Sequence, residues 1–379
     1  MIEAVLSDEG WPYASAPPVE AGDPGRFHAL FGRDALITSL QLLPERPELA
    51  AATLSALTLR QGRRFDPATL EAPGKIGHEF RDAPPAAFVA AGWPPGGAFA
   101  YYGTADATAW FLVLLAASGE GGWERARDEA GAWLASVLDA GNGLVRHIAG
   151  GRGGLVQQGW RDTIDAAADA DGGGYVRADG SNPAPPLADA DTQAATHAAL
   201  RALARMTGDP EWTRRADALR ALLSERYGPG VMALEAGDVV VPGAGSQLGW
   251  LLWADALEPE AARAAADRLC EPDILTPFGL RTLAASDPNF GVSAYHRGAT
   301  WPFDSWLGWG GLRAAGRFKE AERVRVGVLR ALDQLGRAPE FYAVGLDGSL
   351  APIPLSNRVQ AWTIGARWAL EHEWDGRAI

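Results

Sequence analysis

The chain has 379 residues, 47% of them hydrophobic, enough to bury a sizeable core. Its net charge of −13 and pI near 5.0 exclude nucleic acid and anionic membrane surfaces as partners, because a polyanion would be repelled. The single cysteine, Cys270, excludes an internal disulfide, and the longest strongly apolar run (residues 110–117) is too short to span a bilayer.

The N-terminal segment MIEAVLSDEG lacks the basic start and apolar stretch of a secretory signal, so the cytoplasm is the expected location. From Phe27 a pattern begins that recurs six times: a loop rich in Trp, Tyr, His, Arg, Asp or Gln runs into an apolar helix. The first head is FHALFGRDALITSL, followed by a helix expected at 47–59. YYGTADATAWFLVLL from Tyr101 feeds a helix at 108–117, and an amphipathic helix is expected at 123–138. ADADTQAATHAAL from Ala188 feeds a helix at 192–204. The next, 209–227, opens on the cap Asp209, Pro210 and Glu211, then buries Trp212, Ala216, Leu219 and Leu223. GAGSQLGWLLWADAL from Gly243 precedes an amphipathic helix at 258–270. YHRGATWPFDSWLGW from Tyr295 precedes one at 317–335, with Phe318, Ala321, Val324, Val328, Leu332 and Leu335 on one stripe. PLSNRVQAWTIGA from Pro354 feeds the last helix, 360–370. Short strands are expected at 143–148, 231–234 and 239–241.

The helices after the heads carry few charges and read as buried all round; the others carry charged outer faces. Their alternation predicts an inner ring wrapped by an outer one: an all-α (α/α)6 barrel with little β structure, forming one domain over residues 1–379. Only five outer helices are evident. The sixth place falls to the segment before Phe27; if it stays empty, an apolar groove there favours a homodimer.

Polar and aromatic groups gathered at one end of six helices predict an acidic, Trp-rich pocket for a carbohydrate. QQGWRDTIDA places Asp162 beside Trp160 and Arg161, and APEFYAVGLDG places Glu340 between Pro339 and Phe341. An apolar contact keeps a carboxyl protonated, while a polar setting keeps it ionised. Glycoside hydrolysis needs one of each. By composition Asp34, Glu79, Asp106 and Asp165 are comparable candidates, among 47 Asp and Glu. Arg33–Asp34 suits either a helix cap or a clamp on vicinal sugar hydroxyls. His78–Glu79–Phe80–Arg81 is not a zinc motif, because position 82 is Asp, so no metal is expected. No phosphate- or dinucleotide-binding signature occurs, and no cofactor is expected.

These motifs together resemble the glucosidase domain of bacterial amylo-α-1,6-glucosidase, or glycogen-debranching-type, proteins, related to glucoamylases and glycoside hydrolase family 63. The resemblance rests on Phe31–Gly32–Arg33–Asp34, the run from Ala72 to Arg81, Tyr101–Tyr102–Gly103 with Asp106, Gln158 to Thr163, Tyr295 to Asp304, Ala338 to Tyr342 and Val359 to Gly365. It implies an inverting, exo-acting α-glycosidase, an α-glucosidase first of all, with Asp162 as general acid and Glu340 as general base. It also implies that Arg33, Asp34, Trp160, His296 and Trp301 hold the glycone, and that His78, Glu79, Tyr102, Asp106, Arg161, Gln193 and Trp362 line the pocket. Arg161, Asp191, Arg297 and Phe303 depart from the family's usual residues. The family's N-terminal β-rich region has no counterpart in the sequence, so small α-glucosides are expected over polymers. The alternatives are a hydrolase of glucosylglycerate or mannosylglycerate and, from other classes, a sugar epimerase using His78 and His296, a polysaccharide lyase or a glycan-binding module.

Overall fold

The computed structural model describes residues 2–18, 26–148, 150–163 and 173–377. Asp165 lies outside them. Twelve helices are found among the described residues: α1 (Gly32–Gln41), α2 (Pro47–Leu59), α3 (Ala86–Ala90), α4 (Ala107–Ser118), α5 (Glu124–Ala140), α6 (Ala190–Thr207), α7 (Pro210–Arg226), α8 (Gln247–Trp253), α9 (Pro259–Leu269), α10 (Pro302–Ala314), α11 (Phe318–Leu335) and α12 (Ala361–Glu371). Helices α1, α4, α6, α8, α10 and α12 each pack on the next, and α12 packs back on α1, which closes the inner ring. Helices α2, α5, α7, α9 and α11 lie outside, each against the inner helix that precedes it. The architecture is an (α/α)6 barrel.

The sequence explains this sorting. In α4 every side chain from Ala107 to Leu115 is buried, and the helix carries no charge. In α11 Ala321, Val324, Val328 and Leu332 face inward on one stripe and the charged residues face out. Phe318, expected on that stripe, is 66% exposed at the first turn. Asp209 caps α7 by accepting the Glu211 N–H.

The sixth outer place holds no helix among the described residues. A 3₁₀ turn (Ile2–Val5) puts Ile2 and Val5 against Leu42, Leu49, Ala361 and Ile364. The chain then runs past α12: Ala361 N donates to Ala14 O at 2.8 Å, and Ala16 N to Val359 O at 3.0 Å. The segment before Phe27 thus occupies the sixth outer place, as expected, with a 3₁₀ element and extended chain in place of an α-helix.

Ten short strands form two three-stranded sheets and two hairpins among the described residues. Strands β1 (Leu30–Phe31), β2 (Glu79–Arg81) and β3 (Phe99–Tyr101) pair in that order, as do β4 (Ala188–Asp189), β5 (Val231–Glu235) and β6 (Val239–Pro242). β7 (Leu275–Thr276) pairs β8 (Gly279–Leu280), and β9 (Tyr342–Val344) pairs β10 (Leu350–Pro352). The strand expected at 143–148 is reduced to one bridge, His147 to Leu187, because Gln193 takes the Val145 backbone instead. No helix among the described residues is long and apolar enough to cross a membrane.

The tightest crossing joins α8 to α10. A Cβ on Gly249 would stand 2.5 Å from Gly308 Cα, and one on Gly311 would stand 2.3 Å from Gly249 O. A backbone cannot yield as a flexible side chain can, so Gly249→Val forces the two helices apart. The expected loss is about 3 kcal/mol of stability, read as a lower urea midpoint at unchanged m-value.

Candidate active site

The heads lead into the inner helices, and side chains link three neighbouring pairs of them. Arg33 at the start of α1 donates through Nε to Asp106 Oδ2 (2.7 Å) at the N-cap of α4. Gln360, the N-cap of α12, donates to Asp34 Oδ1 at 3.4 Å. Trp250 of α8 donates to Asp304 Oδ1 of α10 at 2.6 Å.

Arg33 is the hub. Besides Asp106 it donates from Nη1 to Asp162 Oδ2 at 3.0 Å and from Nη2 to Gly159 O at 2.9 Å. Burial opposes its charge, but Asp106 and Asp162 outweigh burial and raise its pKa. The same contact restrains Asp162. Burial raises that carboxyl to about 6, with Arg33 pulling against it. The Asp162 side chain is 25% exposed, and His78 Nε2 stands 4.0 Å from its Oδ2. His78 packs edge-on between Phe31 and Tyr101, and burial lowers its pKa well below the usual value, so it is neutral.

Glu340 is almost wholly buried and approaches from the loop between α11 and α12. The Tyr295 hydroxyl donates to Oε1, and Asn357 N donates to Oε2 at 3.2 Å. Burial raises Glu340 to about 7 against these donors. Asp162 adds to that rise, so the two carboxylates sense each other. Asp34 senses both and is raised to about 8, chiefly by burial. It is therefore protonated at neutral pH and can donate as well as accept. Glu79, paired with Arg81, is raised to about 7 by burial.

Aromatic rings form the wall. Trp301 stacks on Phe341 (4.8 Å between centroids) and on His296 (5.6 Å), and Trp160 meets His296 and Trp301 edge-on. Trp362 stacks on Phe303 at 3.9 Å. Burial also keeps the His296 pKa well below its usual value.

The structure therefore brings together Arg33, Asp34, His78, Glu79, Asp106, Trp160, Asp162, His296, Trp301, Glu340 and Trp362. It moves four expected sugar contacts into other work. Tyr102 turns away, its hydroxyl donating to Arg60 O at 2.7 Å. Gln193 spends its amide on Val145 N and O, at 2.9 and 2.8 Å. Asp106 has no exposed surface and holds Arg33 and Thr104. Arg161 has no exposed surface either: it binds Asp191, Thr282 O, His296 O and Ser246 Oγ, tying the Asp162 loop to α6 and α8. Residues absent from the sequence-derived set join the site: Tyr101, against His78; Tyr295 and Asn357, on Glu340; and Gln360, on Asp34. Tyr101 was legible as a neighbour of Tyr102, but only the pairing of β3 with β2 decides which of the two faces inward. Among the described residues no three His, Cys, Asp or Glu side chains are placed to hold a metal ion.

The family model described as the mannosylglycerate hydrolase MGH1-like glycoside hydrolase domain matches residues 97–342. No curated protein matches the chain by sequence. In fold the chain is similar to the GH63 mannosylglycerate hydrolase from Thermus thermophilus. The complex of that enzyme with Tris and D-glycerate superposes with a TM-score of 0.66 at 16% identity, covering 98% of each chain. Its complex with glucose gives 0.64 at 17% identity over the same shares. A further structure described as a wild-type glycosidase gives 0.57 at 18% identity, covering 99% of this chain and 94% of that one.

Burying Glu340 bears on stability, with a definite sign. A carboxyl raised from 4.5 to about 7 costs nothing below pH 4.5, where it is protonated folded and unfolded alike. The cost grows from pH 4.5 to about 7 and is complete above that. Glu340→Gln is therefore expected to gain stability over the wild type as pH rises through this window, on the order of 3 kcal/mol by about pH 8. Urea unfolding of both proteins at about pH 4 and about pH 8 measures the difference.

Proposed function

Because the chain belongs to the mannosylglycerate hydrolase MGH1-like glycoside hydrolase family, we propose that its pocket hydrolyses a small α-glycoside from the non-reducing end, with inversion. The observation that carries this reading is the pair Asp162 and Glu340. They come from loops before different inner helices, sense each other electrostatically and have unlike partners. Asp162, partly exposed toward the pocket, donates its proton to the glycosidic oxygen as the bond to the aglycone breaks. Glu340 takes a proton from a water whose oxygen attacks the anomeric carbon from the opposite face. The donors on both Glu340 oxygens suit an ionised base. Arg33 and the protonated Asp34 hold glycone hydroxyls between the aromatic walls, and His78, held neutral by burial, stands beside the acid.

With Asp162 near 6 and Glu340 near 7, the pair holds one proton between those pH values. The productive form is the one with that proton on Asp162. A bound sugar strips the remaining water from Asp162 and shifts the proton toward it.

For the aglycone we favour glycerate over the neutral α-glucoside expected from the sequence, with glucose or mannose as glycone. The family's description and the glycerate-bound Thermus enzyme support this choice. So does Arg26: it is exposed, lies 6.0 Å from the Tyr295 ring centre, acts on Glu340, and donates to one carbonyl, Leu355 O, at 3.2 Å. Such a cation suits a carboxylate-bearing aglycone.

Asp162→Asn and Glu340→Gln are each expected to lower kcat by about 10²–10⁴ with the fold kept, and proton NMR of the first product should show the β anomer. A first product of α configuration, or near-normal turnover in either variant, would refute the assignment. The pH profile of kcat/KM should be a narrow bell with limbs near 6 and 7. Arg26→Ala is expected to lower kcat/KM about tenfold more for glucosylglycerate or mannosylglycerate than for a neutral α-glucoside, whose smaller loss reports the effect of Arg26 on Glu340. Equal loss on both substrates would assign Arg26 to the fold instead.

A further inference from the structure

Of the 34 lysines and arginines in the chain, only Lys75 and Lys319 are lysines. Lys75 is the unusual one. It is only 8% exposed, yet it lines a cavity of about 300 Å³ that backs onto the wall carrying Asp162. Among the described residues no carboxylate lies within ion-pair distance of its amine. Nζ donates to one carbonyl, Leu70 O, at 3.4 Å, and lies 5.6 Å from the Trp133 ring centre. Leu70 reaches that position in the left-handed region (φ 60°), a conformation that costs a leucine about 1 kcal/mol.

The other charged groups of the cavity are already engaged. Asp66 accepts from Ala68 N at 2.9 Å, and Glu71 from Arg63 N at 2.9 Å and Arg64 Nε at 3.3 Å. Arg146 is held by Gly141 O and Asp238. His147 lies 3.2 Å from Asp189 and accepts from Gln158 N. Lys75 is thus the one cation of the described lining without a charged partner. Phe65 and Ile148, 84% and 56% exposed, stand among the lining residues as apolar surface.

We propose that this cavity is a second ligand site, for a small molecule carrying a carboxylate or phosphate, with Lys75 as its charge partner and Trp133 as its wall. Lysine suits the task better than arginine. Its amine can shed its proton when the cavity is empty and regain it when an anion enters, which a guanidinium cannot do. Burial brings the Lys75 amine down to about 7, in keeping with that exchange. The site is distinct from the carboxylate pair but shares a wall with it. Thr104, Ala105 and Gln158 line the cavity, and the adjoining Asp106 and Gly159 both hold Arg33.

Because the chain has two lysines, acetylation by a small reagent, read by peptide mass spectrometry, reports on Lys75 with Lys319 as internal control. The wild-type protein is labelled alone and with inorganic phosphate, D-glycerate or glycerol. A bound anion slows labelling of Lys75 by 1 + [L]/Kd, about tenfold at ten times Kd, and leaves Lys319 unchanged. Protection by phosphate alone, by glycerate alone or by both supports the site and identifies the anionic group. To separate it from the catalytic pocket, Arg26→Ala should be protected equally, and Lys75→Met should lose the phosphate-dependent rise in Tm. Equal protection by glycerol, equal slowing at Lys319, or no protection by either anion overturns the proposal.

Discussion

The site depends on one buried guanidinium. Arg33 spans the start of α1, the cap of α4, the carbonyl of Gly159 and the carboxylate of Asp162. An arginine can do this because its donors form a rigid planar fork; a lysine in its place would serve one acceptor well and leave the rest unpaired. Removing that charge would strand Asp106 in a space with no solvent contact, and buried carboxylates without a partner are strongly destabilising. The interaction that orders the Asp162 loop is therefore also one that joins two inner helices, and the two roles cannot be separated by mutation.

A second buried arginine works behind the first. Arg161 follows Trp160 and precedes Asp162, and it points the opposite way, into carbonyls and side chains of three other segments. The backbone around Asp162 is thus held from both sides: by Arg161 beneath it and by Arg33 beside it. The Arg161 guanidinium carbon lies 4.6 Å from the Trp160 ring centre, so the same charge also backs an aromatic wall. Arg161 has no open surface, and its donors are spent on Asp191, Thr282 O, His296 O and Ser246 Oγ. Position in the motif made it look like a binding residue, while its surroundings make it a support.

The helices were legible because their signals are local. A Pro at the first turn, an Asp cap and a 3.6-residue stripe placed α2, α7 and α11 within a residue or two of their observed bounds. The inner helices were legible by their lack of charge. The sixth outer place was assigned to the N-terminal segment only by elimination, because the short 3₁₀ element at Ile2–Val5 has no α-helical period and gains its place by packing on Leu42, Leu49, Ala361 and Ile364. Among site residues, Asp162, Glu340, Arg33 and Asp34 stood out through motif and neighbours. Tyr102, Gln193, Asp106 and Arg161 stood in the same motifs but turn to backbone or buried partners. Direction, more than identity, is what a one-dimensional pattern leaves out, since it is fixed by strand pairing and by contacts with residues far along the chain.

The electrostatic character of the pocket shows the same division. The sequence suggested that aromatic neighbours of Asp162 and Glu340 would give them opposed settings. In the fold both are raised, and so are Asp34 and Glu79, with burial as the largest cause each time. The contrast between Asp162 and Glu340 comes from other partners: a hydrogen-bonded guanidinium and partial solvent on Asp162, and on Glu340 a phenol, a backbone amide and the more distant charge of Arg26. A phenol and an amide stabilise a carboxylate by hydrogen bonds that travel with the site, whereas water on Asp162 is removed once a sugar covers it. Covering Asp162 would therefore raise its pKa while leaving Glu340 with its fixed donors. Four carboxyls packed around so few cations cannot all ionise, and the proton they must retain is the one glycoside hydrolysis requires.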